Sequence, residues 1–131
     1  MAARLFSILL AFLSLAPLTG CNIAGGGGTV HVPPPVIQYG MPTLLRYELS
    51  VWGGGNARKD YTDIQCHYRA ANSKSFSTIS GSVVDGSDKR VVVVFTLPAL
   101  STSDGGYVEY YFDEKFDGVY NKRNMEHVPL K

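Results

Sequence analysis

Polar and apolar residues alternate along most of the chain from residue 44 onward. Alternation with a period of two predicts β-strands that bury one face and leave the other in contact with solvent. The first strand is expected over about 44–52, ending before Gly53, and the second over about 61–70. Helical periodicity is absent from this part of the chain. The residues expected on the buried faces of these two strands are Leu45, Tyr47, Leu49, Val51, Ile64, Cys66 and Tyr68.

Two further strands are expected to form a hairpin. A strand near 76–84 leads into Asp85-Gly86, a dipeptide that favours a tight turn because glycine adopts a positive φ at little cost. The partner strand over 90–97 contains the unbroken apolar run Val91 to Phe95. Such a run predicts burial on both faces, in the middle of a sheet.

The last part of the chain is expected to add two more strands. An aromatic-rich strand over 107–115 turns at Phe116-Asp117-Gly118 into a final strand from Val119 towards Val128. The chain therefore contains about seven short strands separated by turns. This pattern predicts an all-β fold, a single antiparallel β-sandwich.

The N-terminal residues follow a different pattern. Arg4 precedes an apolar run over 5–15, too short to span a bilayer, and Leu18-Thr19-Gly20-Cys21 follows. These residues resemble the signal peptide and lipobox of bacterial lipoproteins. The resemblance implies cleavage between Gly20 and Cys21, a diacylglycerol on the sulfur of Cys21, and usually a third acyl chain on its new amine.

An attached lipid predicts a protein that is anchored to a membrane without spanning it, because two acyl chains give stable anchoring. By resemblance to enterobacterial lipoproteins, Asn22 in place of Asp implies transport to the outer membrane of the cell envelope, facing the periplasm. The Gly-rich and Pro-rich residues of 25–35 predict a flexible, then extended, tether. The expected division is a signal peptide over 1–20, a lipidated tether over 21–35 and one domain over 36–131.

Four segments carry a second resemblance: Ile64 to Arg69, Phe76 to Ile79, Leu97-Pro98-Ala99 and Gly106 to Phe112. On these segments, residues 40–130 resemble the immunoglobulin-like or fibronectin-III-like modules of bacterial envelope proteins. The resemblance implies an Ig-like sandwich, with a transthyretin-like sandwich as the alternative. The chain lacks the core cysteine pair of antibody domains, and Trp52 lies on an earlier strand than their core tryptophan.

Charge argues against a nucleic-acid partner. The chain has 12 Lys and Arg and 11 Asp and Glu, and because Arg4 lies in the signal segment the remainder carries 11 of each. A nucleic-acid binder usually has a basic face or stripe. The basic pairs of this chain are interspersed with acidic and polar residues, so we expect them to be solvated loop charges.

Candidate catalytic residues are few. If Cys21 is lipidated, Cys66 is the one remaining thiol, and no internal disulfide can form. Cys66 shares a strand face with Ile64 and is therefore expected in the core, whereas an intermolecular disulfide is the alternative. His67 is expected on the opposite face, because side chains alternate along a strand. We therefore expect no Cys-His pair and no catalytic residue.

Metal ligands and cofactors are not expected either. His31, His67 and His127 lack the spacing of a zinc site. The acidic residues Asp113, Glu114 and Asp117 could bind calcium through their carboxylates, but charged residues near a hairpin end are usually solvated surface. We therefore predict a solvated acidic cluster and no metal site.

Three aromatic side chains are candidates for an interface, Tyr107, Tyr111 and Trp52. Burying Val108, Tyr110 and Phe112 on one face of the aromatic strand leaves Tyr107 and Tyr111 on its polar face. Tyrosine has an apolar ring and a hydroxyl that tolerates water, which suits contacts with proteins or sugars. The alternative is that loops cover this face.

The expected function is that of a lipid-anchored, non-catalytic module that binds or assembles with another envelope protein. The alternative is an envelope ligand-binding or inhibitor lipoprotein of the immunity type, which recognises a glycan or a hydrolase. An enzyme is not expected, since no catalytic motif is present. The sequence leaves the partner and the oligomeric state open.

Overall fold

The structure, a computed structural model, describes residues 26–131. The predicted signal peptide, the predicted cleavage point at Gly20 and Cys21, and the predicted lipidation of Cys21 lie outside these residues. The described residues form two antiparallel sheets packed as a sandwich, so the predicted all-β fold is confirmed. The strands are β1 (Gly26–Val30), β2 (Thr43–Trp52), β3 (Tyr61–Ala70), β4 (Ser77–Ser80), β5 (Ser82–Gly86), β6 (Arg90–Leu97), β7 (Tyr107–Phe116), β8 (Val119–Lys122) and β9 (Glu126–Pro129).

The strand order identifies an immunoglobulin-like sandwich. Sheet I has the order β1-β2-β6-β5, and sheet II has the order β4-β3-β7, with β8 and β9 both paired to the far side of β7. These orders correspond to the A-B-E-D and C′-C-F-G strands of immunoglobulin domains. The Ig-like alternative is therefore the one that the chain adopts.

The predicted core is largely confirmed. Leu45, Tyr47, Leu49 and Val51 of β2 are buried, as is Cys66 of β3, whereas Ile64 and Tyr68 are only partly buried against the core. Strand β6 lies between β2 and β5, so it is central, and four of the five residues in its apolar run are buried. The two faces of the run are thus covered as the sequence predicted.

The glycine run is a strand rather than a tether. Gly26–Val30 pairs antiparallel with the end of β2, so the expected tether over 21–35 is wrong for these five residues. A Cβ on Gly27 would lie 2.3 Å from the hydroxyl of Tyr61 and 3.0 Å from the Phe116 ring, while the indole of Trp52 lies over Gly26 on the other face. Glycine is needed here because aromatic rings lie against both faces of the strand.

The strand predicted over 76–84 is divided between the sheets. β4 belongs to sheet II and β5 to sheet I, and the chain crosses at Gly81. A Cβ there would lie 2.4 Å from Val93 and 2.8 Å from Phe95, so the crossing needs the smallest residue. The predicted hairpin is present, but its turn lies later than predicted, because Asp85-Gly86 forms the end of β5. The Ser87 N–H donates to the Arg90 carbonyl at 2.7 Å and closes the turn.

The final strand is also divided. β7 turns at Asp117 and Gly118, whose φ angles of 55° and 80° produce a tight hairpin, as predicted. β8 and β9 then pair with different halves of β7, and the chain between them turns inward at Arg123. With these two divisions and β1, the six strands whose bounds were predicted become nine within residues 26–131.

In the part of the chain that the structure describes, helical structure is limited to a four-residue helix, α1 (Ala57–Asp60), and a short 3-10 turn over Thr102–Asp104. Asn56 begins α1, and its side-chain oxygen accepts hydrogen bonds from the Arg58 and Lys59 amides. No helix within residues 26–131 has the length and apolarity needed to cross a membrane.

Candidate functional site

The outer surface of sheet II carries a dense group of aromatic and polar side chains. Strands β3 and β7 place Cys66, Tyr110 and Phe112 in the core, so the alternating residues point outward. We call this surface the aromatic face. Its members are His67, Arg69, Phe76, Thr78, Tyr107, Glu109, Tyr111, Asp113, Tyr120, Lys122 and His127.

Tyr111 lies at the centre of the aromatic face and is half-buried. Its ring stacks on that of His67 with a centroid separation of 4.8 Å, and the ring of Phe76 meets it edge-on at 5.3 Å. The ammonium of Lys122 lies 4.5 Å from the centre of the same ring, and the guanidinium of Arg69 lies 4.6 Å from that of Phe76. Cation–π contacts of this kind hold basic side chains in place over aromatic rings.

A hydrogen-bond chain orders the middle of the face. Asp113 is buried, and its Oδ2 atom accepts from the Nε2 of His67 at 2.9 Å and from the hydroxyl of Tyr120 at 2.8 Å. The Nδ1 of His67 lies 2.8 Å from the hydroxyl of Thr78. The hydrogen bond to Asp113 raises the pKa of Tyr120 to about 12, because the phenol is held as a donor.

The order carboxylate, imidazole, hydroxyl in Asp113, His67 and Thr78 is that of a nucleophilic triad. Thr78, however, is exposed on edge strand β4. The two pockets of the described domain detailed below are lined by other residues. A triad needs a site where a substrate is held beside the nucleophile, and Thr78 lines neither of these two pockets. The chain of hydrogen bonds can fix the positions of the rings around Tyr111.

Tyr107 lies at the other end of β7 on the same face. Its ring meets that of His127 edge-on at 4.2 Å. Between Tyr107 and Tyr111, Arg69 binds the carboxylate of Glu109 at 3.0 Å. The structure thus places two of the three predicted interface residues on one surface, with charged side chains around them.

Trp52 lies elsewhere. It is on the outer surface of sheet I, at the end of β2, with 55% of its surface exposed. Its indole covers the backbone of Gly26 and Gly28. The outer surfaces of the two sheets point in opposite directions. Trp52 therefore cannot share one flat interface with Tyr107 and Tyr111.

The acidic cluster differs most from the prediction. Asp113 and Glu114 are buried, with 6% and 1% exposed, whereas Asp117 is on the surface. They were expected to be solvated together, but adjacent strand residues point to opposite faces. Glu114 enters the core because it continues the inward alternation of Tyr110 and Phe112. Extending that alternation by one step would have located it from sequence.

Glu114 belongs to a buried polar network between the sheets. Its Oε1 accepts from the Tyr47 hydroxyl at 2.6 Å, and its Oε2 accepts from the Arg123 guanidinium. The Nε of Arg123 also donates to the Tyr47 hydroxyl at 3.2 Å. Burial, and then the bond to Glu114, raise the pKa of Tyr47. Burial lowers the pKa of Arg123, but its hydrogen bonds to Glu114 and Tyr47 outweigh that and raise it overall.

Two pockets lie at the open sides of the sandwich. One of 320 Å³ opens over the Glu114 network on the β1 side, and one of 460 Å³ lies beside α1 with a mostly apolar lining. His31 lines the 320 Å³ pocket and is held in place by two hydrogen bonds. Its Nδ1 lies 2.7 Å from the Arg46 carbonyl, and its Nε2 lies 2.6 Å from the Tyr110 hydroxyl. A carbonyl only accepts, so Nδ1 carries the proton.

Cys66 is fully buried, and burial followed by the charge of Asp113 raises the pKa of its thiol to about 12. A protonated, enclosed thiol is a poor nucleophile. His67 lies on the opposite face of β3, as predicted. Within residues 26–131, no three potential metal-binding side chains come together.

Comparisons with known proteins identify no family for this chain. No family model and no curated protein matches the chain. Among solved structures, the fold is similar to that in the crystal structure of the Lin-41 filamin domain. The TM-score is 0.42 at 12% identity, over 80% of this chain and 91% of that one.

Proposed function

We propose that this protein is a non-catalytic interaction module of the bacterial cell envelope, which binds another envelope protein through the aromatic face. A lipid on Cys21 anchors the module to the outer membrane, on the side that faces the periplasm. The observation that carries the proposal is the environment of Tyr111, a half-buried ring at the centre of an outward-facing surface.

The composition of the aromatic face is typical of a protein-binding surface. Tyrosine, phenylalanine and arginine are enriched where proteins meet, and binding energy concentrates on a few such side chains near the centre. Tyr111, Phe76 and Arg69 supply these residue types in contact with one another. Their contacts exist before a partner arrives, so less side-chain entropy is lost on binding.

The shape of the surface favours a macromolecular partner. The face is built on the flat side of a sheet, whereas small-molecule sites are usually concave and enclose most of their ligand. Glu109, Arg69 and Lys122 provide charges of both signs around the central rings. Such a mixture supports recognition of a complementary protein surface rather than of a uniformly charged polymer.

Two features support a role without catalysis. The Thr78 hydroxyl next to the Asp113-His67 pair is exposed on edge strand β4, and the Cys66 thiol is enclosed and protonated at physiological pH. The anchor rests on Leu18 to Cys21, and its direct test is the intact mass of the mature protein, which should include the added lipid.

A matched pair of surface variants tests the partner. Tyr111→Ala removes the ring shared by His67, Phe76 and Lys122, and should reduce recovery of a stoichiometric companion from cross-linked envelope membranes. A central interface ring typically contributes about 2 kcal/mol or more, which corresponds to an affinity loss of at least about 30-fold.

Leu44→Ala is the control, since Leu44 is 69% exposed and lies on the outer surface of sheet I. Recovery of the companion should be unchanged by this variant. Thermal unfolding of both variants confirms that the sandwich is intact. Equal recovery with Tyr111→Ala and Leu44→Ala would remove the aromatic face as the interface.

A further inference from the structure

We propose that the end of the sandwich where β1 begins rests on the membrane surface, with Trp52 among the lipid headgroups. We call it the membrane end. It consists of Trp52, the segment 53–60, and the two turns at 87–89 and 117–118. The inference rests on the proposed lipidation of Cys21 and adds an orientation and a second contact surface to it.

The first argument is the short connection to the anchor. Four residues, 22–25, separate Cys21 from Gly26, where β1 begins. Even a fully extended chain spans at most about 3.3–3.6 Å per residue, so over the five steps from residue 21 to residue 26 the start of β1 lies within about 18 Å of the lipidated residue. β1 is held to β2 by five register pairs, from Gly26 opposite Trp52 to Val30 opposite Glu48.

The second argument is that the membrane end is one connected surface. The Ala57 N–H donates to the Asp88 carbonyl at 2.6 Å, and the Asp117 N–H donates to the Asp60 carbonyl at 2.8 Å. The ammonium of Lys89 binds the carbonyls of Gly53 and Gly55 at 2.9 Å and 3.0 Å. The turns and α1 are therefore tied together beside the residue where the anchored segment joins the domain.

The third argument is the chemistry of Trp52. One face of its indole rests on the backbone of Gly26 and Gly28, so the ring lies beside the point from which the chain continues towards Cys21. More than half of the side chain remains exposed. Tryptophan is enriched at membrane surfaces because its ring prefers the headgroup region to either water or hydrocarbon.

Charge neither drives nor prevents this contact. The basic side chains of this end are matched in number by acidic ones, so we expect little dependence on salt. The basic residues are Arg58, Lys59 and Lys89, and the acidic residues are Asp60, Asp88 and Asp117. The lipid on Cys21 attaches the protein to the membrane, and the preference of the Trp52 indole for the headgroup region determines which end of the domain contacts it.

This orientation has a consequence for the aromatic face. The strands of sheet II run away from the membrane end, so the face stands at the side of the domain, open to a neighbour on the same membrane. Tyr111 lies five residues before Phe116, where β7 reaches the membrane end. At about 3.3 Å per residue this places Tyr111 about 17 Å along the strand from the membrane end.

Fluorescence quenching tests the proposal directly, because Trp52 is the single tryptophan of the chain. The full-length lipidated protein is reconstituted in vesicles of phosphatidylethanolamine and phosphatidylglycerol, with a nitroxide quencher on some headgroups. We expect a loss of Trp52 emission with the nitroxide lipid, a shift to shorter wavelength, and protection from aqueous acrylamide, all retained in high salt. Emission sensitive to acrylamide but not to the nitroxide lipid would overturn the proposal.

A variant with Trp52→Phe and Met41→Trp moves the reporter to the far end of the ten-residue strand β2, about 30 Å away. Met41 is 55% exposed. The moved tryptophan should escape the nitroxide lipid, and equal quenching at both positions would refute the orientation. Intact mass is measured first. An unmodified Cys21 refutes the anchor itself, whereas a lipidated protein with unquenched Trp52 refutes only the membrane end.

Discussion

At the scale of the residue, the direction of a single side chain decides whether a charge is surface or core. Asp113 and Glu114 are adjacent in sequence, yet one orders the aromatic face and the other lies in the network between the sheets. The burial of Asp113 and Glu114 could be predicted from the sequence only in part. The inward alternation of β7 indicates Glu114, but the cation that accompanies it, Arg123, comes from a turn whose path the sequence does not reveal.

The Glu114 network predicts a large loss of stability when its cation is removed. Arg123→Met leaves a fully buried carboxylate without its ion pair, and we expect a loss of about 2–3 kcal/mol in the free energy of unfolding. The loss is below the ~3–5 kcal/mol typical of buried pairs because part of the Arg123 side chain is exposed. Urea denaturation at neutral pH measures it.

Arg46→Met is the matched control, since Arg46 forms an ion pair with Glu48 on the surface. Surface pairs contribute about 0–1 kcal/mol, so this variant should be nearly as stable as the natural protein. Adding Glu114→Gln to Arg123→Met should restore part of the stability. Equal losses for the two arginine variants would contradict the buried network.

At the scale of the element, β1 shows how a composition typical of a linker can form a strand. Four consecutive glycines favour flexibility when nothing covers them. Here Tyr61 and Trp52 cover opposite faces of the segment, and the Tyr61 hydroxyl donates to the Ser50 carbonyl at 2.9 Å. Aromatic rings that pack on glycine backbone in this way compensate for its missing side chains. Those rings come from distant positions, so local sequence could not predict them.

A substitution at Gly27 tests whether β1 is docked. Gly27→Val would place side-chain atoms against the Tyr61 hydroxyl and the Phe116 ring, and overpacking should lower the free energy of unfolding by about 1–3 kcal/mol. Gly54→Ala is the control, because a Cβ at Gly54 meets no atom within 4 Å. Urea denaturation compares the two variants. A flexible tether would tolerate both equally.

At the scale of the whole molecule, the folded structure keeps several groups from ionising. Burial raises the pKa of Cys66 from 9.0 to about 12 and also raises those of Tyr47 and Tyr110, while Asp113 raises that of Tyr120 from 10.0 to about 12. Above the unfolded pKa values the unfolded chain loses these protons and the folded chain keeps them. Stability therefore falls as pH rises.

The expected result is a free energy of unfolding that is fully present below pH 9.0 and declines progressively towards pH 12. In a Cys66→Ala variant the decline should begin nearer pH 10, where the tyrosines start to ionise. Urea denaturation over this pH range measures both profiles. A natural protein whose stability is constant from neutral pH to pH 11 would show that these groups are accessible in the folded state.

The sequence by itself determined the all-β class, the bounds of β2, β3 and β6, and the two faces of β7, because alternation along a strand is a local property of the chain. It also selected Tyr107 and Tyr111, which share that outward face. Only the tertiary structure decided that the glycine run is a strand, that the chain changes sheets at Gly81, and that Arg123 meets Glu114. Each of these depends on atoms far apart in sequence, whose contact exists only after the two sheets have packed.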